Sequence, residues 1–245
     1  MKILIGISCV PDTTFKIDFV ENNTRFNTAG IQYIINPNDE FGLTRAVRLK
    51  EEVGAELTVV TVGDASVEPI LRKCLAIGAD QAIRVDATPT DGFFVAQQLE
   101  ALCQKNPFDL IIVGRESIDY NGGMVGGMLA TLMGYSYIPN CVALQMEGQK
   151  AFLQREIDGG IENLQANLPI IIGAQKGLVE ESDLIIPNMR GIMKARQKPL
   201  EVIPSLEVER VTSDITFEKP APKGAVQLVD VDELIRLLEE EAKVL

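Results

Sequence analysis

Asp109-Leu110-Ile111-Ile112-Val113-Gly114-Arg115-Glu116-Ser117-Ile118-Asp119-Tyr120-Asn121-Gly122-Gly123-Met124-Val125-Gly126-Gly127-Met128 decides the fold. A short apolar, β-branched run too brief for a helix reads as a buried strand. It ends in a polar, glycine-rich loop that opens a helix, the place where an α/β protein holds a phosphate. Small residues let the backbone approach an anion, and the N–H groups and positive dipole end of the next helix bind it. Ser117, Asp119 and Asn121 add polar side chains around that turn. An ordinary strand-to-helix turn, with glycine supplying positive φ, reads the same way from the loop alone.

Outward from this stretch the pattern repeats. Lys2 to Ser8 reads as a buried strand broken at Pro11-Asp12-Thr13-Thr14, and a loop or hairpin follows through Asn22-Asn23 and Ala29-Gly30. Asn36-Pro37-Asn38-Asp39 caps a helix running to about Val53. Glu56 to Val62 is a strand, Val67 to Ile77 a helix ended by Gly78, Ala82 to Val85 a strand and Thr90 to Gln104 a helix. Such alternation predicts a doubly wound, Rossmann-like α/β fold with a mostly parallel sheet, whose ligands lie beyond the carboxyl ends of the strands. Four loops are expected to meet there: Gly6 to Thr14, Asn36 to Asp39, Val62 to Ser66 and Gly114 to Val125.

After about residue 140 the pattern changes. Val142 to Met146 and Ala151 to Gln154 flank Glu147-Gly148-Gln149-Lys150 as a hairpin, an antiparallel extension of the sheet, and Pro169 to Gly173 is another strand. Gly177 to Pro204 is rich in charge and turns, Lys219-Pro220-Ala221-Pro222-Lys223 reads as a linker, and Val231 to Val244 as an acidic amphipathic helix. The expected division is an α/β domain over 1–189 and a C-terminal extension over 190–245 that lies on a partner or on the chain's own domain, with the partner-wrapping reading favoured. A partner would cover Leu178, Leu184, Ile185, Ile186 and Met189, otherwise apolar loop residues in water.

Composition excludes several functions. The 245 residues carry 23 basic and 35 acidic side chains, a net charge of −12, which argues against nucleic acid. The absence of histidine excludes Ser-His-Asp and Cys-His catalysis and histidine-ligated metals. Cys9, Cys74, Cys103 and Cys141 have no metal-ligand spacing and read as reduced core residues. No apolar run approaches a bilayer span and the start reads as a strand, so a cytoplasmic location without membrane insertion is expected. Arg155, Glu156 and Asp158 could be mistaken for an acid–base set; alternation sends Arg155 to one strand face and the two carboxylates to the other, as in structural ion pairs or subunit contacts.

Several segments together resemble the β subunit of electron-transfer flavoprotein. They are Val10-Pro11-Asp12, the Asn36-Pro37 helix start with Arg48-Leu49-Lys50-Glu51, Ala76-Ile77-Gly78-Ala79-Asp80, Gly114-Arg115-Glu116-Ser117-Ile118-Asp119, Arg155-Glu156-Ile157-Asp158-Gly159-Gly160 and Ile192-Met193-Lys194-Ala195, collinear with the family order. The resemblance implies a heterodimer whose α subunit carries the redox-active FAD, accepts electrons from flavin dehydrogenases and passes them to a quinone-linked oxidoreductase or another acceptor. This subunit would bury a structural AMP and have no catalytic residue and no metal. Gly6, Asn36, Pro37, Asn38, Asp39, Val62 and the loop Ser117, Asp119, Asn121, Gly122, Gly123, Met124, Val125 and Gly126 align with AMP-contact positions, the same four loops. Thr13 and Asn38 would stand near the flavin ring, and Leu178 aligns with a leucine that anchors partner dehydrogenases; Gly177-Leu178-Val179-Glu180-Glu181-Ser182-Asp183 lacks the Asn-Glu-Pro-Arg of the family loop, and the other reading of Leu178 is a packed loop residue. Two other readings are an electron-bifurcating member with a second FAD in place of AMP, and a free-standing nucleotide-binding regulator or ATP-cleaving enzyme. The ATP-cleaving kind wants a Ser-Gly-Gly-x-Asp-Ser loop, which Ser8-Cys9-Val10-Pro11-Asp12 does not supply.

Overall fold

A computed structural model describes residues 1–213, 216–222, 224 and 226–244. In chain order the first elements are β1 (Lys2–Gly6), β2 (Cys9–Pro11), β3 (Phe19–Val20), β4 (Arg25–Phe26), β5 (Tyr33–Ile35), α1 (Pro37–Val53) and β6 (Glu56–Gly63). Next come α2 (Glu68–Ile77), β7 (Gln81–Asp86), α3 (Gly92–Lys105), β8 (Leu110–Gly114), α4 (Val125–Met133) and β9 (Ser136–Glu147). The chain continues through β10 (Lys150–Ile157), β11 (Gly160–Asn167), β12 (Ile170–Ala174), α5 (Met189–Ala195), β13 (Leu200–Pro204) and α6 (Val231–Leu237). These form two units, one of 1–16 with 28–213, the other of 17–27 with the described residues beyond 213.

Nine strands of the first unit form one sheet in the order β11-β10-β9-β12-β8-β1-β6-β7-β13. The seven from β9 to β13 run parallel, and β10 and β11 extend the sheet antiparallel through the hairpin at Gly148, as the pattern predicts. Central strands are apolar on both sides because helices cover both faces. Ile3, Ile5, Leu110 and Ile112 join the core under α1 and α2, whereas Leu4 and Ile111 join the one under α3 and α4. The helix ends follow from local chemistry: Pro37 starts α1, Gly54 in the left-handed region ends it, and the Asp91 carboxylate accepts the Phe94 N–H to cap α3.

The segment 190–204 belongs to the sheet of this unit. Its α5 lies on α2, where a Cβ at Gly191 would meet the Ala76 carbonyl oxygen at 2.5 Å, and β13 pairs with β7 at the sheet edge. The charge of the stretch hides this, because only two side chains of this edge strand pack, one on each face: Leu200 against the core under α1 and α2 and Ile203 against the other, while Glu201 and Val202 are exposed. Asp158 falls in the turn between β10 and β11 rather than on a strand face, and Arg155 pairs with Glu162 across the hairpin at 2.5 Å.

In the second unit, β3 and β4 form the expected hairpin, with Asn22 and Asn23 at positive φ. Phe19 stacks on Phe217 at 4.8 Å between ring centroids. The C-terminal helix is shorter than the sequence suggests: α6 ends at Leu237 and a π turn follows over Leu238–Ala242. Lys223, part of the expected linker, lies outside the described residues.

Candidate functional site

Strand order reverses between β1 and β8. From β1 the chain leaves by α1 on one face of the sheet, and from β8 by α4 on the other, so the loops splay and leave a crevice above the two strand ends. Gly6, Ile7 and Ser8 line it from β1, Thr61 and Val62 from β6, Asp39 from α1, and Gly114, Glu116, Ser117, Gly122 and Val125 from β8 and the glycine-rich loop. Val95 and Leu99 of α3 form an apolar wall. All four expected loops contribute lining residues, the one after β6 through Val62 alone.

Asn36 holds the crevice together. It occupies the position before α1 but caps no N–H of its own helix. Its side chain is fully buried and reaches across to the glycine-rich loop, donating to the Glu116 carbonyl at 2.9 Å and accepting from the Ile118 N–H at 3.2 Å. Asn38 donates to the same carbonyl at 3.1 Å. Two amides from one helix start thus fix a loop 80 residues away, and each satisfies a backbone group that burial would otherwise orphan.

Asp39 is the second anchor. It is 2% exposed, and its carboxylate accepts the Ser8 N–H at 2.7 Å, with the Gly114 N–H and the Asn36 amide as further donors. Burial raises its pKa from the ordinary 3.8 to about 7 against the opposing effect of those hydrogen bonds. Gly114 has no room for a side chain: a Cβ there would run into the Asp39 carboxylate and stand 2.9 Å from the Asn36 amide nitrogen. Cys9, next to the crevice, is held as a thiol, pushed up to about 12 chiefly by burial.

The loop itself divides. Ser117 donates its N–H to the Gly122 carbonyl at 3.1 Å, closing a short bridge that turns Asn121 into the left-handed region at φ +50°. Asp119 and Asn121 are exposed at its tip. At Gly123 a Cβ would come within 3.0 Å of the Arg115 carbonyl oxygen, so this glycine serves the loop's own closure. Met124 lays its side chain over Gly92, and Gly126 accommodates the Tyr137 ring, 2.6 Å from a would-be Cβ. Gly126 therefore serves helix-to-sheet packing. No side chain caps the first turn of α4, which leaves that helix start to the crevice side. Pro37 only starts α1. Thr13 is exposed in the turn after β2 and does not line the crevice.

Leu178 is elsewhere and buried. At 6% exposure it belongs to the core under α1 and α2, so it cannot reach into a partner from this conformation. Exposure instead marks Ile186 at 84% and Met189 at 75%, on the stretch leading into α5. Of the five apolar loop residues expected to be covered by a partner, Leu178 and Ile185 pack on the chain's own core, while Ile186 and Met189 stay exposed.

These features define a doubly wound α/β protein with a built crevice where its strand order reverses. A model of the electron transfer flavoprotein domain matches residues 24–208. The chain is 34% identical to the electron transfer flavoprotein subunit beta of Bacillus subtilis (strain 168) over the whole of both chains. It is 31% identical to the human subunit beta, covering all of this chain and 99% of that one, and 35% identical to the mitochondrial subunit beta of Oryza sativa subsp. indica over the whole of both. The chain belongs to the electron transfer flavoprotein family, and these relatives match it as beta subunits along its full length. Among the described residues no helix is long and apolar enough to cross a membrane.

Proposed function

We propose that this chain is the β subunit of a heterodimeric electron carrier of the cytoplasm, that its crevice holds AMP, and that it has no catalytic residue of its own. The observation that carries the AMP reading is the charge of the lining. Among the described residues its only charged side chains are Asp39 and Glu116, and the Glu116 carboxylate is paired with Arg115 at 2.9 Å. With no lysine or arginine on the wall, an anion has only backbone N–H groups and the uncapped start of α4. That set suits one phosphate better than the pyrophosphate of a second FAD. The base would lie between Gly6 and Val62 against the apolar wall of Val95 and Leu99.

When bound on the α subunit, FAD would supply the one- and two-electron chemistry. This chain would close one side of the flavin pocket, with Asn38 the better placed of the two expected residues because it is tied to the Glu116 carbonyl. Thr13 keeps that role only if the α subunit covers its turn. Docking of flavin dehydrogenases falls to Ile186 and Met189 by their exposure, and delivery to a quinone-linked oxidoreductase follows the family pattern. The segment beyond 213 is proposed to lie on the α subunit, because Val226, Leu228 and Val231 are 80%, 91% and 71% exposed. The four free cysteines suit a reducing compartment.

The test is to purify the chain with its α subunit and count nucleotides released on denaturation. One FAD and one AMP per heterodimer supports the proposal. Two FAD and no AMP would replace it with the bifurcating reading, and a stable monomer that turns over ATP would overturn both.

A further inference from the structure

We propose that Asp39 is a positioning residue of the crevice: its ionised carboxylate clamps Ser8 and Gly114 to the first turn of α1 and thereby makes occupancy of the crevice depend on a proton. The proposal rests on the nucleotide reading of the crevice and adds its regulation.

Three observations converge. The carboxylate is buried at the floor of the crevice, where the β1 and β8 ends diverge. Its partners come from three separate chain segments: the Ser8 N–H at 2.7 Å together with the Ser8 hydroxyl, the Gly114 N–H and the Asn36 amide. Among the described residues no cation pairs with it. Lys73 and Arg115, on elements adjoining the site, are paired with Glu40 and Glu116, both at 2.9 Å.

A buried carboxylate without a counter-charge costs stability, and what it supplies here is geometry. Ionised, it offers acceptors to every N–H aimed at it. Protonated, it presents one O–H, which the Ser8 hydroxyl can accept, and keeps fewer and weaker acceptor sites, so its bonds to the Ser8 and Gly114 N–H groups weaken. Ser8 and Gly114 both line the crevice, so the loosened groups belong to the site.

The groups that face Asp39 leave it as the titrating one near neutrality. From the turn after β1, Cys9 is pushed up to about 12, and from α2, Cys74 is raised well above its ordinary value, both mainly by burial. On the β8 side stand Arg115 and Glu116, and on α1 itself Glu40, all in the ion pairs just named. Asp39 sits at about 7, so its two states exchange across the physiological range.

The experiment measures AMP affinity of the complex with its α subunit between pH 6 and 8, for the native chain and Asp39→Asn, alongside the amide resonances of Ser8 and Gly114. The native complex is expected to bind about tenfold more weakly at pH 6 than at pH 8, beyond the change due to the phosphate of AMP, which titrates near pH 6. Asp39→Asn should bind more weakly at pH 8 and keep only the ligand's own titration. Both amide resonances should move with a midpoint near pH 7 in the native chain, which tests the clamp even if the variant fails to fold. AMP binding whose profile matches that of the variant, with amides that do not titrate, overturns the clamp and leaves the nucleotide reading intact. Titrating amides with no AMP binding at any pH keep the clamp and remove the nucleotide reading. Silent amides with no binding remove both.

Discussion

The crevice and the segment from Gly177 to Ala195 break the ordinary rule of burial in opposite directions. In the crevice, Asn36 and Asp39 are polar and fully enclosed. Near α5, Ile186, Met189 and Met193 are apolar and face water at 84%, 75% and 67% exposure. Enclosed polar groups cost free energy unless each finds a partner, so such a place is built to hold its own shape around something small. Exposed apolar groups cost little in the folded chain and become favourable only when a large surface covers them. The contrast separates a site that is organised before its ligand arrives from one that a partner completes.

Leu178 gives the sharpest test of where that division falls, because it lies on the same segment as Ile186 but inside the core. Leu178→Ala should lose about 2–5 kcal/mol of stability, the usual range for emptying a packed leucine site. Chemical denaturation of the purified complex reads it. A loss below about 0.5 kcal/mol would mean that the leucine is not packed in solution, and would restore it as a docking residue.

On the crevice side, the cost of enclosing Asp39 has a sign that pH exposes. Its folded-state pKa is raised from 3.8 to about 7, so the folded chain holds a proton that the unfolded chain releases. The contribution is favourable below about pH 4 and is lost as pH rises toward 7. Relative to Asp39→Asn, the native chain should therefore lose about 2 kcal/mol of stability between roughly pH 5.5 and 7, at about 1.4 kcal/mol per unit. Parallel melting curves at the two pH values check this. A gap between the two chains that does not move with pH would show that Asp39 is solvated, and the crevice would then be less enclosed than the contrast requires.

Gly114→Ala presses on the same place from the other strand. Its methyl group would enter the space of the Asp39 carboxylate and the Asn36 amide, and overpacking of this kind costs about 1–3 kcal/mol. Loss of bound nucleotide should accompany the loss of stability. Full nucleotide content with a native melting temperature would mean that the loop shifts freely and that the two amides do not fix it.

How much of this was legible beforehand depended on whether the signal was local. The parallel core was readable because Ile3 to Ile5, Ile111 to Val113 and Ile170 to Ile172 are continuous apolar runs, as strands covered on both faces must be. The crevice loops were readable because glycine, proline and asparagine mark strand ends. Asn36 was read as a helix cap, and nothing in its neighbourhood says that its amide is spent on Glu116, 80 residues on. Gly126 looked like part of an anion loop, yet the Tyr137 ring is what needs its bare backbone. β13 escaped because only Leu200 and Ile203 of it pack, one on each face of the sheet, which leaves no alternation to read. For Leu178 the sequence leaves docking and packing both open, because alignment carries a position along the chain and carries no information on which way the side chain turns; burial decides for packing.

The smallest expected effect on stability is the most informative for the outer site. Ile186→Ala removes a side chain that touches little of its own fold, so stability should change by no more than about 0.5 kcal/mol. If a dehydrogenase buries that side chain, its truncation removes the transfer free energy of a large aliphatic group, about 1–3 kcal/mol, and weakens docking by roughly five- to a hundredfold. The flavin of the complex should remain bound and reducible by dithionite, while its reduction by a partner dehydrogenase at limiting concentration slows by that factor. Leu178→Ala at a temperature where it stays folded is the matched control, and its rate should stay near that of the native chain. If both variants transfer electrons at the native rate, neither residue docks the donor, and the exposed stretch before α5 must be covered by the α subunit instead.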